Sequence, residues 1–204
     1  TLATDDFNRA NNADLGASWD AGYTGNGPLQ IVSNQLRPTA INTDAMETYN
    51  AVATPNDQFS QITLSQVGGT GTRAPRVLVR FGNAATVQGY ECGALLPATF
   101  RCGEWNAGVF TQKTSDTWTW AAGDKMRMEA EGTTMRGYVI RGAAETLINS
   151  FTDATFASGK TGIIHYQQNV TLGDVQVDDF VMGEISVAAP VAPSIATVAA
   201  DATG

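Results

Sequence analysis

Histidine is almost missing from this chain, cysteine occurs twice, and positive charge is scarce: one His, two Cys, and 12 Lys and Arg against 20 Asp and Glu in 204 residues. Each scarcity closes off a class of function. His165 with Cys92 and Cys102 cannot supply a four-ligand zinc centre at metal-ligand spacing. No G-x-S-x-G elbow accompanies the single histidine, so nucleophilic catalysis by a serine has no local signature, and His165 reads as a half-buried strand residue. The formal net charge of -8 repels phosphate backbones and anionic lipid, which excludes nucleic acid as an expected partner. No run of 18 apolar residues exists, so membrane insertion is not expected. The first residues, TLATDDFNRA, have neither the basic start nor the apolar run of a secretory signal, so the chain is expected either to fold in a cytoplasm or to have lost a targeting segment already.

What the chain does have is turn chemistry. Breaks rich in Gly, Asn, Asp and Pro separate short segments that read as strands: one opening at Asp5-Asp6-Phe7, then Leu29–Leu36, Met46–Val52, Gln58–Val67, Arg76–Phe81, Gly89–Leu96, Phe100–Trp105, Lys125–Glu131, Met135–Ile140 and Gly162–Tyr166. Helical periodicity is absent over any long window. In Arg76–Phe81, alternation places Val77, Val79 and Phe81 on one face and Arg76, Leu78 and Arg80 on the other. In Gln58–Val67, Phe59, Ile62 and Leu64 cannot share a face, which implies a strand buried on both sides or a bulge. The Gly68-Gly69-Thr70-Gly71-Thr72 segment lacks the continuation of a phosphate-binding loop and reads as a plain loop. From Ser186 onward, Ala and Pro dominate, so 1–185 is expected to form one domain and 186–204 an arm or linker.

The stretches DDFNRANNADLGASWD, VLVRF, AAGDKMRMEAEG, MRGYVIRG, FASGKTGI and VDDFVMG, in that order, resemble the concanavalin A-like, laminin-G-like jelly-roll superfamily in its compact bacterial and bacteriophage form. The likeness runs from Thr4 to Ile185. It implies an all-β, antiparallel two-sheet jelly-roll sandwich, lectin-like, with an extended C-terminal arm. Sugar-cleaving members of the fold carry E-x-D-x-x-E on one strand face, setting two carboxyls ~5–5.5 Å apart. That pattern is missing. Glu129 and Glu131 share a strand face, but Lys125 and Arg127 share it too and pair with them. The chain is therefore not expected to be an enzyme.

The site candidates follow from chemistry. Sugars offer apolar C–H faces and hydroxyl edges, which call for aromatic platforms beside polar side chains. Trp105, Trp118, Tyr166 and Gln167 are the carbohydrate-binding candidates, whereas Trp120 reads as a core anchor. Asp5 and Asp6 in the first strand and Asp178 and Asp179 in the last form a candidate structural Ca²⁺ site, since terminal strands of jelly rolls are neighbours; alternation lets at most half of the four converge. No other cofactor is implied. YECGALLPATFRCGEW reads as a hairpin turning near Pro97, which sets Cys92 across from Cys102, either as a disulfide or as two reduced thiols. Asn169-Val170-Thr171 matches a glycosylation acceptor.

Two functional expectations result. One is a non-catalytic virion structural protein, a decoration, fibre or tail-associated subunit on the virion surface, whose arm contacts other virion proteins in a homo-oligomer and whose jelly roll binds surface glycans. The other is an extracellular carbohydrate-binding module of a larger enzyme or adhesin.

Overall fold

The computed structural model describes residues 1–20, 27–82, 86–168 and 171–185; the arm at 186–204 and Asn169-Val170 lie outside the described residues. The strands in chain order are β1 Ala3–Asp5, β2 Leu29–Val32, β3 Gln35–Pro38, β4 Asp44–Thr48, β5 Gln58–Val67, β6 Thr72–Phe81, β7 Gly89–Leu95, β8 Thr99–Asn106, β9 Val109–Thr117, β10 Lys125–Glu131, β11 Thr134–Arg141, β12 Ala144–Thr152, β13 Lys160–Gln168 and β14 Val175–Glu184. They form two antiparallel sheets. The eight-stranded sheet runs β12-β11-β10-β5-β14-β3-β2, with β1 on β14, and the six-stranded sheet runs β4-β13-β6-β7-β8-β9. This is the all-β two-sheet sandwich expected. Among the described residues no helix is long and apolar enough to cross a membrane.

Alternation explains the layering. Val77, Val79, Cys92, Ala94, Phe100, Cys102 and Ile163 of the six-stranded sheet face Ile62, Leu64, Met126, Met128, Val139, Val175 and Val177 of the other, and all are buried in one cluster. Within β5 the inward residues are Gln58, Ser60, Ile62 and Leu64, and Phe59 faces outward half-buried, so no bulge is needed to separate Phe59 from Ile62. In β6 the expected face holds for Val77 and Val79 but not for Phe81. Arg80 takes a positive φ of 49°, which breaks the alternation and sends Phe81 to a second cluster with Met46, Leu78 and Ile164 on the outer face of the six-stranded sheet. Expected strand Leu29–Leu36 is two strands joined by a turn at Ser33 and Asn34, both with positive φ.

The chain closes on itself at β1 and β14, where Asp5 pairs with Phe180. Asp5 then organises the segment that follows: it accepts hydrogen bonds from the Phe7 N–H at 2.9 Å and Trp19 Nε1 at 2.9 Å and pairs with Arg9. Trp19 thereby reaches the core, where its ring meets Tyr49 and Phe180 edge-on. His165 is fully buried rather than half-buried; burial first, and then Arg76, lowers its pKa to about 3, so it is a neutral core residue.

Cys92 lies directly opposite Cys102 in the β7–β8 ladder, and the two form a disulfide with Cα atoms 4.1 Å apart. Because the bridge removes freedom from the unfolded chain, replacing both cysteines by alanine is expected to cost ~2–3 kcal/mol, about 4–10 °C in Tm, in thermal unfolding. An unchanged Tm would show that the β7–β8 ladder is held without it.

Candidate functional site

The outer face of the six-stranded sheet carries a depression of about 340 Å³, lined by Asp44 of β4, Tyr166 of β13, Thr72, Ala74 and Arg76 of β6, Leu95 of β7, Arg101 and Trp105 of β8 and Phe110 of β9. Strand pairing makes it. Ile164, Arg76, Gly93 and Arg101 stand in register across β13, β6, β7 and β8, which sets the two arginines on one face with a glycine between them. Gly93 has a φ of +156°, and a Cβ there would come within 2.7 Å of Arg76 Cα, so β6 and β7 approach closely only because this position is glycine.

Arg76 is the floor of the depression and is 2% exposed. Its Nη1 donates to both oxygens of Glu91, at 2.7 and 3.0 Å, and its Nη2 to Asp44 at 2.7 Å. Burial works against the guanidinium charge, but Glu91 and Asp44 outweigh it and hold the Arg76 pKa above its ordinary value. Trp105 Nε1 donates to Glu91 Oε2 at 2.8 Å, which orients the indole as a wall. Its ring meets Phe110 at 5.4 Å, and Arg101 lies over Phe110 at 4.6 Å. Behind the wall, Trp105 packs on the second apolar cluster of Met46, Leu78, Phe81 and Ile164. The result combines aromatic surface, a charged donor fork and a carboxylate, all in a hollow.

Of the four carbohydrate candidates the structure brings two together. Trp105 and Tyr166 both line the depression. Gln167 follows Tyr166 in β13 and so points the opposite way, into the core; it is fully buried, with Nε2 donating to the Val175 carbonyl at 2.8 Å, and no ligand on the outer face can reach it. Trp118 stands by the Thr117–Thr99 end of the β8–β9 ladder, whereas Trp105 pairs with Phe110 near its turn, a separation of ~20 Å along the strands. One face of Trp118 is covered by the Arg141 guanidinium at 5.0 Å, and Arg141 is clamped to Asp124 by two 2.7 Å hydrogen bonds. Sequence reading placed Arg76 on the right face of its strand but did not identify Arg76, Glu91, Asp44 or Arg101 as site residues. The available signal was charge inside apolar strands, at Arg76 in RVLVRF and Glu91 in YECGAL.

The four aspartates of the calcium candidate do approach one another across β1 and β14. Burial, and then the charges of Asp179, Asp6 and Asp5, raise the Asp178 pKa. They do not form a coordinating set. Asp5 is turned to Arg9 and Trp19, and burial that would raise its pKa is outweighed by those hydrogen bonds, which leave it lowered. Among the described residues no three His, Cys, Asp or Glu side chains are arranged to hold a metal ion. Glu129 and Glu131 pair with Arg127 and Arg136, as a solvated strand face should.

A second depression, about 370 Å³, lies where Asp14, Leu15, Trp19, Asp20 and Pro28 meet Glu47 of β4. Glu47 is 2% exposed and accepts the Leu29 N–H at 2.9 Å. Burial first, and then the charges of Asp14 and Asp20, raise its pKa to about 8.

No family model and no curated protein sequence matches the chain. Solved structures do. The carbohydrate-binding module CBM66 from Bacillus subtilis superposes with a TM-score of 0.62 at 15% identity, over 81% of this chain and 94% of that one. The exoplasmic/lumenal domain of VIP36, in its Ca²⁺- and mannose-bound form, gives 0.63 at 9% identity over 85% and 86%. The GH43 protein BlXynB from Bacillus licheniformis gives 0.63 at 10% identity over 89% of this chain but 39% of that one, so the present chain spans about two-fifths of that protein. At these identities the likeness establishes the fold alone, a lectin-like two-sheet jelly-roll sandwich.

The raised pKa of Glu47 has a sign that can be checked. The carboxyl ionises near 4.5 in the unfolded chain and near 8 in the folded one. Its contribution to stability is therefore whole below the unfolded value and is lost progressively as pH rises through the folded one. E47Q keeps an oxygen for the Leu29 N–H and cannot ionise. Its Tm is expected to match the wild type near pH 4 and to exceed it at pH 8 by about 4–8 °C, ~2 kcal/mol or more. A constant difference between the two across that range would show that Glu47 ionises normally.

Proposed function

We propose that the chain is a non-catalytic glycan-binding module and that the depression floored by Arg76 is its binding site. The observation that carries this reading is the meeting of Trp105, Phe110 and Tyr166 with Arg76, Arg101 and Asp44 in one hollow, which offers a sugar both an apolar wall and charged hydrogen-bonding groups. Binding rather than hydrolysis is supported by how the carboxylates are used. Glu91 is fully buried and takes hydrogen bonds from Arg76 and Trp105, while Asp44 is held by Arg76, so each is committed to positioning a guanidinium. The names of the structural neighbours, a carbohydrate-binding module and a mannose-bound lumenal domain, support the same reading.

For the setting we infer an extracellular module of a larger protein rather than a virion subunit. The likeness to part of the GH43 protein supports this, as does the Cys92–Cys102 disulfide, a bond that persists in oxidising surroundings. The virion reading rests on the sequence resemblance to the bacteriophage form of the fold, the acidic charge and the composition of residues 186–204. Light scattering separates the two settings: the full chain and a chain ending at Ile185 are both expected to be monomers, whereas an oligomer that falls apart on losing the arm would favour the particle subunit and its surface location.

The function itself is tested on a glycan array followed by calorimetry on the best binder. W105A is expected to lose at least tenfold in affinity, since truncating a central aromatic anchor costs about 2 kcal/mol or more, with the Tm lowered only modestly. Undiminished binding by W105A would move the site elsewhere on the molecule.

A further inference from the structure

Arg101 is the one guanidinium of the site whose hydrogen-bonding capacity the protein leaves unspent. Arg76 satisfies itself on Glu91, Asp44 and the Ala74 carbonyl. The ion-pair contact of Arg101, by contrast, is Glu91 Oε1 at 3.5 Å, and that oxygen already accepts from Arg76 at 2.7 Å. The other oxygen of Glu91 takes Arg76 and Trp105. At 3.5 Å from Oε1, Arg101 makes no close charge-assisted hydrogen bond to Glu91. The Nε of Arg101 is buried without a hydrogen-bond partner. Its side chain is 20% exposed, and it lines the depression while stacked on Phe110, which fixes the plane of the fork.

The electrostatics agree. Burial first, and then the neighbouring charge of Arg76, lower the Arg101 pKa, and the attraction of Glu91 and Asp44 does not restore it. The folded protein thus holds a partly desolvated cation that its own carboxylates leave under-compensated. Arg76 and Arg101 are matched in number by Glu91 and Asp44, both of which sit at 2.7 Å from Arg76, so Arg101 is the cation of the hollow without a close carboxylate of its own. A planar donor fork held on an aromatic ring matches a carboxylate bidentately, which a hydroxyl cannot equal.

We infer that the depression selects a sugar bearing a carboxylate, a uronic acid unit, with Arg101 as the residue that recognises the acid group. The inference rests on the glycan-binding reading above and names its ligand class. Trp105 and Tyr166 flank the ring of the sugar, Arg101 takes the carboxylate, and Asp44 accepts from a hydroxyl. Glu91 stays on Arg76.

The experiment compares oligomers of galacturonate and glucuronate with the same oligosaccharides after reduction of their carboxyl groups, and with a sulfated neutral oligosaccharide, by calorimetry against the full chain. The acidic sugar is expected to bind at least tenfold more tightly than its carboxyl-reduced form, and its affinity is expected to fall as salt is raised. Arg101→Gln is expected to remove that preference, weakening the uronate at least tenfold and the reduced sugar less than twofold, while Arg101→Lys recovers part of it. Thermal unfolding of each variant confirms that it folds. Equal affinity for the acidic and reduced sugars, a preference for the sulfated one, or an equal loss for both sugars in Arg101→Gln would overturn the inference while leaving glycan binding standing. If neither these sugars nor any neutral glycan binds, the functional reading fails with it.

Discussion

Arg76 is the residue around which the six-stranded sheet is arranged. A guanidinium that is 2% exposed has lost nearly all its water, and the sheet compensates only because β4, β6 and β7 bring Asp44 and Glu91 to it at 2.7 Å. Removing one partner from such a group typically costs ~3–5 kcal/mol, because the remaining charge stays buried and unpaired. The register of three strands is therefore tied to one side chain. Since Trp105 hangs from the same Glu91, the position of the aromatic wall on β8 depends on it as well. Shape and charge in the depression are set together.

The two sides of that sheet have different physical characters. Inward, its side chains join a continuous apolar core with the eight-stranded sheet, and that core needs only size and register. Outward, a small apolar cluster at Leu78, Phe81, Met46 and Ile164 gives way to the charged hollow. The positive φ of Arg80 marks the boundary, for it is there that β6 turns Phe81 outward, and the Arg80 guanidinium meanwhile ties the neighbouring loops by donating to the Asn56, Gly132 and Phe156 carbonyls.

How much of this could be read in the sequence depended on whether the signal was local. The two-sheet fold, the Cys92–Cys102 register and the inward face of Val77 and Val79 follow from alternation and turn chemistry within short segments. Strands β9 and β12 were missed because both are edge strands with mostly exposed residues, so TQKTSD and AETLINS carry no apolar alternation to detect. The site was half legible. Trp105 and Tyr166 are aromatic residues in polar company, whereas the partnership of Arg76 with Glu91 and Asp44 arises from which strands become neighbours. Gln167 illustrates a rule that was available and not applied, since residues adjacent in a strand cannot both face the ligand. The calcium expectation placed the right strands side by side, but Arg9 and Trp19, which claim Asp5, come from a segment whose path the sequence does not reveal.

The pairing of β1 with β14 brings Leu2 within hydrogen-bonding distance of Met182, so the two ends of the jelly roll leave it side by side. Both strands belong to the sheet opposite the depression. A polypeptide joined at either end, or at both, starts from the far layer of the sandwich. The domain can thus be spliced into a loop of a host protein like a bead on a closed clasp, with the depression turned away from the point of attachment.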